Sequence, residues 1–458
     1  MTLSKDQLQA LEVLKAGNNC FITGNAGSGK SYILDYYTSK YCSKKLVAKV
    51  AFTALAANNL TKDKDSDIVT TIHDLFRLTG PEVISPIKWI DRDIAKAISK
   101  YDLLIIDEIS MVRIDIFDYI ARVITKANKY RLEPIQLVVL GDFYQLPPIM
   151  DNKITKLITK YYDSNTGYCF NSQYWPNFEF KVINLVYNFR INKDKQYLNH
   201  LNNIRRGRNL VSTLAYFNKA LNNSKIDATK AIGIYPTNYM VNKHNRCMLA
   251  KLKGKATSIH AYYDNEIRSA IRANSLEANN LVLELKPKAL VMFNRNDKLV
   301  KDKARRFVNG DLATVISCEE KEVVVRLLKN NKLVHLHKYN CSYNLYKPVK
   351  SLLGVIYQDE YLGLIKQYPL TLAYGLTIHK AQGKTLPAII FDPAGNDKHK
   401  LGHGQVYTAL SRVKCLDDLK LVHKLTLEQI TVNQEVINFY SSIEGNIEDW
   451  LDVICRKR

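Results

Sequence analysis

No two of the eight cysteines form a C-x-x-C pair, and no tract is low in complexity or repeated at a short fixed period. Thiols scattered this way fit reduced cysteines inside a cell better than a disulfide framework. The N-terminus lacks a basic stretch followed by an apolar core, so no secretory signal is expected. No apolar run approaches the ~20 residues of a membrane-spanning helix, and no membrane partner is expected. Cys455 is followed by Arg456 and Lys457, which are not aliphatic, so no prenylation box is expected. His335, His337 and Cys341 lie close together without a second ligand cluster. Alternate residues of one strand explain the two histidines more simply than a metal site does.

Acidic residues are in deficit: 44 Asp and Glu against 66 Lys and Arg, a net charge of +22. Such a balance favours a polyanionic partner, of which nucleic acid is the commonest. The 458 residues are 46% hydrophobic and 24% charged, proportions that exclude a disordered or fibrous chain. At ~150 residues per domain the length suits about three domains.

Four apolar runs, Cys20–Thr23, Leu46–Phe52, Leu103–Ile106 and Leu137–Leu140, alternate with helical stretches such as Tyr32–Tyr41 and Ile94–Lys100. Continuous apolar strands between helices predict a parallel sheet covered on both faces. Ligands of such sheets bind at the carboxyl ends of the strands. Ile232–Tyr235, Leu290–Phe293, Leu370–Ala373 and Ile389–Asp392 read as strands of a second α/β unit. Thr314–Cys318, Val323–Leu328 and Lys332–Tyr339 follow one another without helices and predict a small β-barrel inserted into that unit. The expected layout is a first α/β domain over 1–185, a second over 186–280 and 366–458, and the barrel over 281–365. The basic runs Arg205–Arg208 and Lys301–Arg306 read first as solvated faces, with phosphate contact the alternative.

Gly24-Asn25-Ala26-Gly27-Ser28-Gly29-Lys30-Ser31 fits G-x-x-x-x-G-K-[S/T] between a strand and a helix. Its backbone N–H groups and the helix N-terminus would surround the phosphates of ATP. Lys30 is expected on the β- and γ-phosphates and Ser31 on Mg²⁺. The strand at Leu103 ends in Asp107-Glu108. Asp107 is placed to hold Mg²⁺, and Glu108 to act as general base on a water attacking the γ-phosphate. The run Leu137–Leu140 leads into Gly141–Pro148, where the Gln145 amide is expected to sense the γ-phosphate or orient water. P-loop and acid pair together mean NTP hydrolysis rather than nucleotide storage. A nucleic-acid-binding scaffold switched by ATP and a P-loop kinase are the competing readings.

These strings, in this order, resemble the PIF (petite integration frequency) family of DNA helicases, in group B of helicase superfamily 1. Related motors are of the RecD and phage Dda types, and an RNA-acting motor is the neighbouring alternative. Leu3–Leu14 is similar to the family's N-terminal glutamine motif, and Val50–Leu60 to its segment that grips single-stranded DNA. Thr70–Phe76, Asp107–Met111, Gly141–Pro148, Asn188–Arg190, Thr377–Thr385 and Val406–Arg412 resemble further family elements, and Leu290–Asn294 with Phe307–Gly310 resembles its barrel region. Departures are Phe52-Thr53-Ala54 in place of Pro-Thr-Gly, Ile191 in place of Gln, and a short segment before Asp102 that leaves a small wedge at about 77–100.

The resemblance implies two RecA-like P-loop domains clamping one ATP. It makes Gln7 the adenine reader and places Gln382 and Gly383 at the nucleotide. It sends Arg190 and Arg412 to the γ-phosphate from the second domain. It implies DNA contacts by Thr53, His73, Thr377, His379 and Lys380, with Phe143 or Tyr144 available to stack on bases. It also implies movement 5′ to 3′ along single-stranded DNA and unwinding of tailed duplexes, in replication, repair or recombination, wherever the cell or virus keeps its DNA. A monomer is expected.

Overall fold

The computed structural model describes residues 3–443 except 54–55, 58–59, 61–62, 64–65, 79–83, 87–88, 192, 222, 224–225, 228–230, 265–266, 269–280, 298–305, 352–353 and 394–400, with backbone alone over 341–362. Parts of the expected wedge, of the DNA-gripping segment Val50–Leu60 and of the basic run at Lys301 therefore lie outside the described residues. The chain divides into two compact units, one of 1–78, 83–230 and 378–458, the other of 79–82 and 231–377.

The first unit is organised by a six-stranded sheet. Its strands are β1 (Cys20–Gly24), β2 (Val47–Ala51), β3 (Ile68–Thr71), β4 (Leu103–Asp107), β5 (Gln136–Leu140) and β6 (Lys181–Leu185), in the order β3-β2-β4-β5-β1-β6. All five pairings are parallel. β1, β2 and β5 are buried along their whole length, as expected of strands covered on both faces. Helix Ile114–Asn128 contributes Ile116, Phe117, Ile120, Val123 and Ile124 to one core, and helix Lys30–Tyr41 contributes Ile33, Leu34 and Tyr37 to the core on other strand faces. Because the strands run the same way, Gly24, Ala51, Thr71, Asp107 and Leu140 all end at one edge of the sheet. β3 and β6 escaped the sequence reading because their half-exposed, mixed polar and apolar residues do not form an apolar run. The same unit holds a parallel pair, Ile389–Phe391 with Leu419–Leu421.

The second unit contains a parallel pair of Ile232–Tyr235 with Gly375–Thr377, and the helix Asn238–Lys251. It also holds an antiparallel five-stranded sheet that runs Leu333–Leu336, Val323–Leu327, Leu312–Cys318, Leu290–Phe293, Leu370–Leu372. This corrects the sequence reading of Leu290–Phe293 and Leu370–Ala373 as strands of the second α/β unit. A short apolar run looks the same in a parallel and an antiparallel ladder, and only its partners decide. The ladder pairs connect these strands in line, and barrel closure is not among the pairings of the described residues. A long hairpin, Tyr339–Ser351 with Gly354–Gln367, follows. No helix among the described residues is long and apolar enough to cross a membrane.

Candidate nucleotide site

β1 delivers the chain into a loop that ends where the helix Lys30–Tyr41 begins, with Gly29 as its N-cap. Gly27 has φ +86, and a Cβ there would lie 2.5 Å from the Cβ of Arg190. Only glycine lets Arg190 pack this closely on the loop. Lys30 Nζ donates to the carbonyl oxygens of Gly24 (2.8 Å) and Asn25 (3.1 Å). Ser31 Oγ donates to Asp107 Oδ2 at 3.3 Å. Glu108, the next residue, has a left-handed φ of +54. Such a backbone costs a non-glycine residue on the order of 1 kcal/mol, and strain of this kind gathers at functional sites. It separates the two acids: Asp107 meets Ser31, while Glu108 Oε2 accepts a hydrogen bond from Gln382 Nε2 at 3.1 Å.

Ser31, Asp107, Glu108 and Gln382, with Thr53 and His379, line one cavity of about 210 Å³. The structure thus joins two residues expected on DNA, Thr53 and His379, to those expected on Mg²⁺ and water. Gly383 lies on the same rim. Gln7 is fully buried; its Oε1 accepts from Ser4 N–H at 3.2 Å. Its Nε2 has no partner among the described residues and abuts Gly29. Gln145 is buried, with Nε2 at 3.5 Å from Asp142 Oδ2.

The two arginines lie near each other, Arg190 against the loop at Gly27. Arg190 Nη1 donates to Ser411 O at 2.8 Å. Arg412 is 1% exposed, and its guanidinium donates to the carbonyls of Thr408, Ala381 and Lys384. It therefore holds the turn that carries Gln382 and Gly383. Burial, then the nearby Arg190, pushes Arg412 down to about 9, with Glu108 opposing. Burial also lowers Arg190, against Tyr407 and Glu108. Burial lowers Lys30, opposed by Asp142, Glu108 and Asp107. Burial, then the charge of Glu108, raises Asp107. Three neighbouring cations, Arg412 buried and Lys30 and Arg190 half-buried, are what a polyanion would relieve.

The same residues suit ATP and Mg²⁺. Ser28 Oγ is buried without a partner among the described residues, at the centre of the loop. The Ser31 hydroxyl and Asp107 carboxylate are hard oxygen donors of the kind Mg²⁺ takes.

Among the residues expected on DNA, Phe143 requires correction. It has no exposed surface and packs against Phe21, Phe170, Trp175 and Phe439 at ring distances of 4.9–6.2 Å. A ring buried on every side presents no face to a base, so Phe143 is core. Tyr144 is 6% exposed and stacks on Tyr440. His73 is half-buried, its ring edge-on to Phe52 at 5.6 Å. Burial lowers the pKa of both His73 and His379. Lys380 is exposed on the short helix Ile378–Ala381. Thr377 ends its strand at 8% exposure in the other compact unit.

Several contacts that hold the loop were not foreseen in sequence. Tyr407 Oη accepts from Ala26 N–H at 3.0 Å, Asn188 Nδ2 donates to Ala26 O at 2.8 Å, and Asn25 Nδ2 donates to Asn202 Oδ1 at 2.8 Å. Arg205, read as part of a solvated run, is buried against Asp142.

Parallel strands that deliver a phosphate loop and an acid pair to one edge make this a P-loop NTPase of RecA-like type. Residues 2–218 match the family model of the PIF1-like helicase. The chain is 28% identical to the ATP-dependent DNA helicase Pif1 of Campylobacter jejuni, over 94% of this chain and 96% of that one. With the same-named protein of Bdellovibrio bacteriovorus it shares 27% identity over 97% and 92% of the two chains. Crystal structures of Bacteroides Pif1, bound to ssDNA and in complex with ADP-AlF3 and ssDNA, each match at a TM-score of 0.77 and 27% identity, covering 97% of this chain and 98% of theirs. These likenesses support a PIF1-like helicase, and the fold is α/β with two RecA-like domains.

Proposed function

We propose that the protein is an ATP-dependent DNA helicase that moves 5′ to 3′ on single-stranded DNA and unwinds tailed duplexes. The observation that carries this reading is the convergence of Lys30, Ser31, Asp107, Glu108, Gln382, Arg190 and Arg412 around one loop of a single chain. Names and titles of the relatives, which specify ATP-dependent DNA helicase, ssDNA and ADP-AlF3, support the substrate class. Polarity and a part in replication, repair or recombination rest on the family resemblance.

Ser31 and Asp107 would hold Mg²⁺, which supplies charge neutralisation at the transferring phosphoryl group. Lys30 exchanges its carbonyl partners for phosphate oxygens. Glu108 accepts the proton of the attacking water, and Gln145 orients that water. Arg190 and Arg412 stabilise the charge that develops, an effect worth ~10³–10⁵ in comparable systems. Gln7 reads the adenine edge with its unpartnered amide.

Thr53, His73, Thr377, His379 and Lys380 contact the DNA backbone, and the hydrolytic base lies within a cavity shared by two of them. Domain boundaries at about 185 and 280, a β-barrel that also takes in Leu370–Leu372, and a small wedge at 77–100 are part of the same proposal. A single chain supplies the whole site, which supports a working monomer. A related structure, of two coordinating Pif1 helicases at a forked duplex, makes paired copies at a fork the alternative. ATP hydrolysis with and without single-stranded DNA tests the reading: stimulation supports it, and indifference to DNA favours a scaffold or kinase.

A further inference from the structure

The buried ion pair of Asp142 and Arg205 plays no part in the chemistry above. Arg205 grips the carboxylate with a fork, Nη2 to Oδ1 at 2.8 Å and Nε to Oδ2 at 3.1 Å, with side chains 4% and 0% exposed. The guanidinium lies 4.4 Å from the ring centroid of Tyr144 and 5.6 Å from that of Tyr440, and the two rings stack at 4.7 Å. Tyr440 Oη in turn bonds Thr23 Oγ1 at 2.7 Å and accepts from Phe143 N–H at 3.2 Å. Burial works against ionisation of Asp142, yet the adjoining Arg205 holds its carboxyl below the usual range.

A buried ion pair is weak evidence for stability, because apolar residues of similar size often serve as well. Its position is more informative. The Asp142 carboxylate also accepts from Tyr144 N–H at 3.2 Å and lies 3.5 Å from Gln145 Nε2, and its carbonyl accepts from Gln145 N–H at 2.9 Å. Asp142 thereby shapes the turn that ends in Gln145. Arg205 is on the helix Lys195–Arg206, and Asn202, one turn earlier, receives the Asn25 hydrogen bond from the phosphate loop. One helix therefore grips both the phosphate loop and the Asp142–Gln145 turn.

We infer that Arg205 is a positioning residue for ATP hydrolysis: through Asp142 it sets the place of the Gln145 amide relative to the phosphate loop. The inference rests on the reading of Gln145 as the water-orienting residue. Arginine is required because a lysine keeps the charge but offers neither the fork nor a plane to stack on Tyr144.

The test compares R205K, Q145A and the double variant for kcat, KM for ATP, and affinity for a fluorescent non-hydrolysable ATP analogue, all with saturating single-stranded DNA. R205K retains a buried counter-charge for Asp142, and the thermal midpoint of each variant reports its folding. R205K is expected to lower kcat by on the order of tenfold while KM and analogue affinity stay within about threefold. In the Q145A background the same change should cost little more, because its route of action is already gone. Equal losses in both backgrounds, or a wild-type kcat in R205K, overturn the inference. A loss of analogue affinity together with kcat also overturns it, since that pattern marks a general loosening of the site. If Q145A alone hydrolyses ATP at the wild-type rate, the reading of Gln145 fails first and takes the inference with it.

Discussion

Gln382 Nε2 donates to Glu108 Oε2 at 3.1 Å, a hydrogen bond between residues 274 positions apart. Gln382 directly follows the short helix that carries His379 and Lys380. The segment expected on DNA therefore ends on the carboxylate expected to activate water. A change in how that helix sits moves the amide, and with it the freedom of Glu108 to take a proton. Gln382→Ala should lower the DNA-stimulated kcat by on the order of tenfold and leave KM for ATP within about threefold. ATPase titrations against single-stranded DNA check this, and an unchanged stimulated rate would separate the helix from the base.

Lys380 and Arg412 should respond oppositely. Lys380 is exposed, and Arg412 is buried among the carbonyls of Thr408, Ala381 and Lys384. Lys380→Ala is expected to weaken DNA binding and to reduce its log–log salt slope by about 0.7, the value for one neutralised phosphate on a single strand. Arg412→Ala should leave DNA affinity nearly intact and cut the maximal hydrolysis rate by a factor on the order of 10² or more. Fluorescence anisotropy at several salt concentrations, paired with ATPase assays, distinguishes the two. Loss of DNA affinity with normal hydrolysis in Arg412→Ala would place that arginine on the wrong partner.

Phe143→Ala is a test of stability. Removing a fully buried aromatic ring from its cluster of aromatic neighbours should cost about 3–5 kcal/mol in unfolding free energy. Chemical denaturation measures that loss. The DNA affinity of the fraction still folded at low temperature should match wild type, and a selective fall in affinity without lost stability would return Phe143 to the DNA surface.

His403 gives the stability a pH dependence of known sign. Its Nδ1 accepts from Asn433 N–H at 2.8 Å, so its Nε2–H donates to Phe143 O at 2.8 Å and the ring is neutral. Burial lowers its pKa, against the bond to Phe143 and the charge of Asp142. The unfolded state then binds a proton more readily than the folded state. The stability His403 contributes is complete above the unfolded pKa of about 6.5 and is lost as pH falls through it toward the folded value. His403→Gln should lower the thermal midpoint at about pH 8 and flatten its decline toward about pH 5. Equal pH slopes in variant and wild type would remove His403 from this linkage.

The parts of this architecture legible in sequence were those with short-range signatures. The phosphate loop is a contiguous string between a strand and a helix, and β1, β4 and β5 are unbroken apolar runs. Edge strands β3 and β6 carry half-exposed residues and left no such run. The placement of Leu290–Phe293 depended on its antiparallel partners Leu312–Cys318 and Leu370–Leu372, which a lone apolar segment does not reveal. Arg205 read as surface because three of four residues in its run are basic, and its partner Asp142 is 63 positions away. Phe143 sits inside a motif string, yet its burial is set by Phe170, Trp175 and Phe439 from distant segments. Proximity in a motif says which loop a residue belongs to, and only packing says which way it faces.

The most direct test of the central claim is strand displacement from a duplex with a 5′ single-stranded tail, with wild type and Glu108→Gln side by side. Glu108 is the one carboxylate in the cavity not bonded to Ser31, and the amide keeps its shape without its basicity. Wild type should release the strand only when ATP and Mg²⁺ are present. Glu108→Gln should bind the tail and the nucleotide and release none. Displacement without ATP, or release by Glu108→Gln at the wild-type rate, would contradict a motor driven by this site.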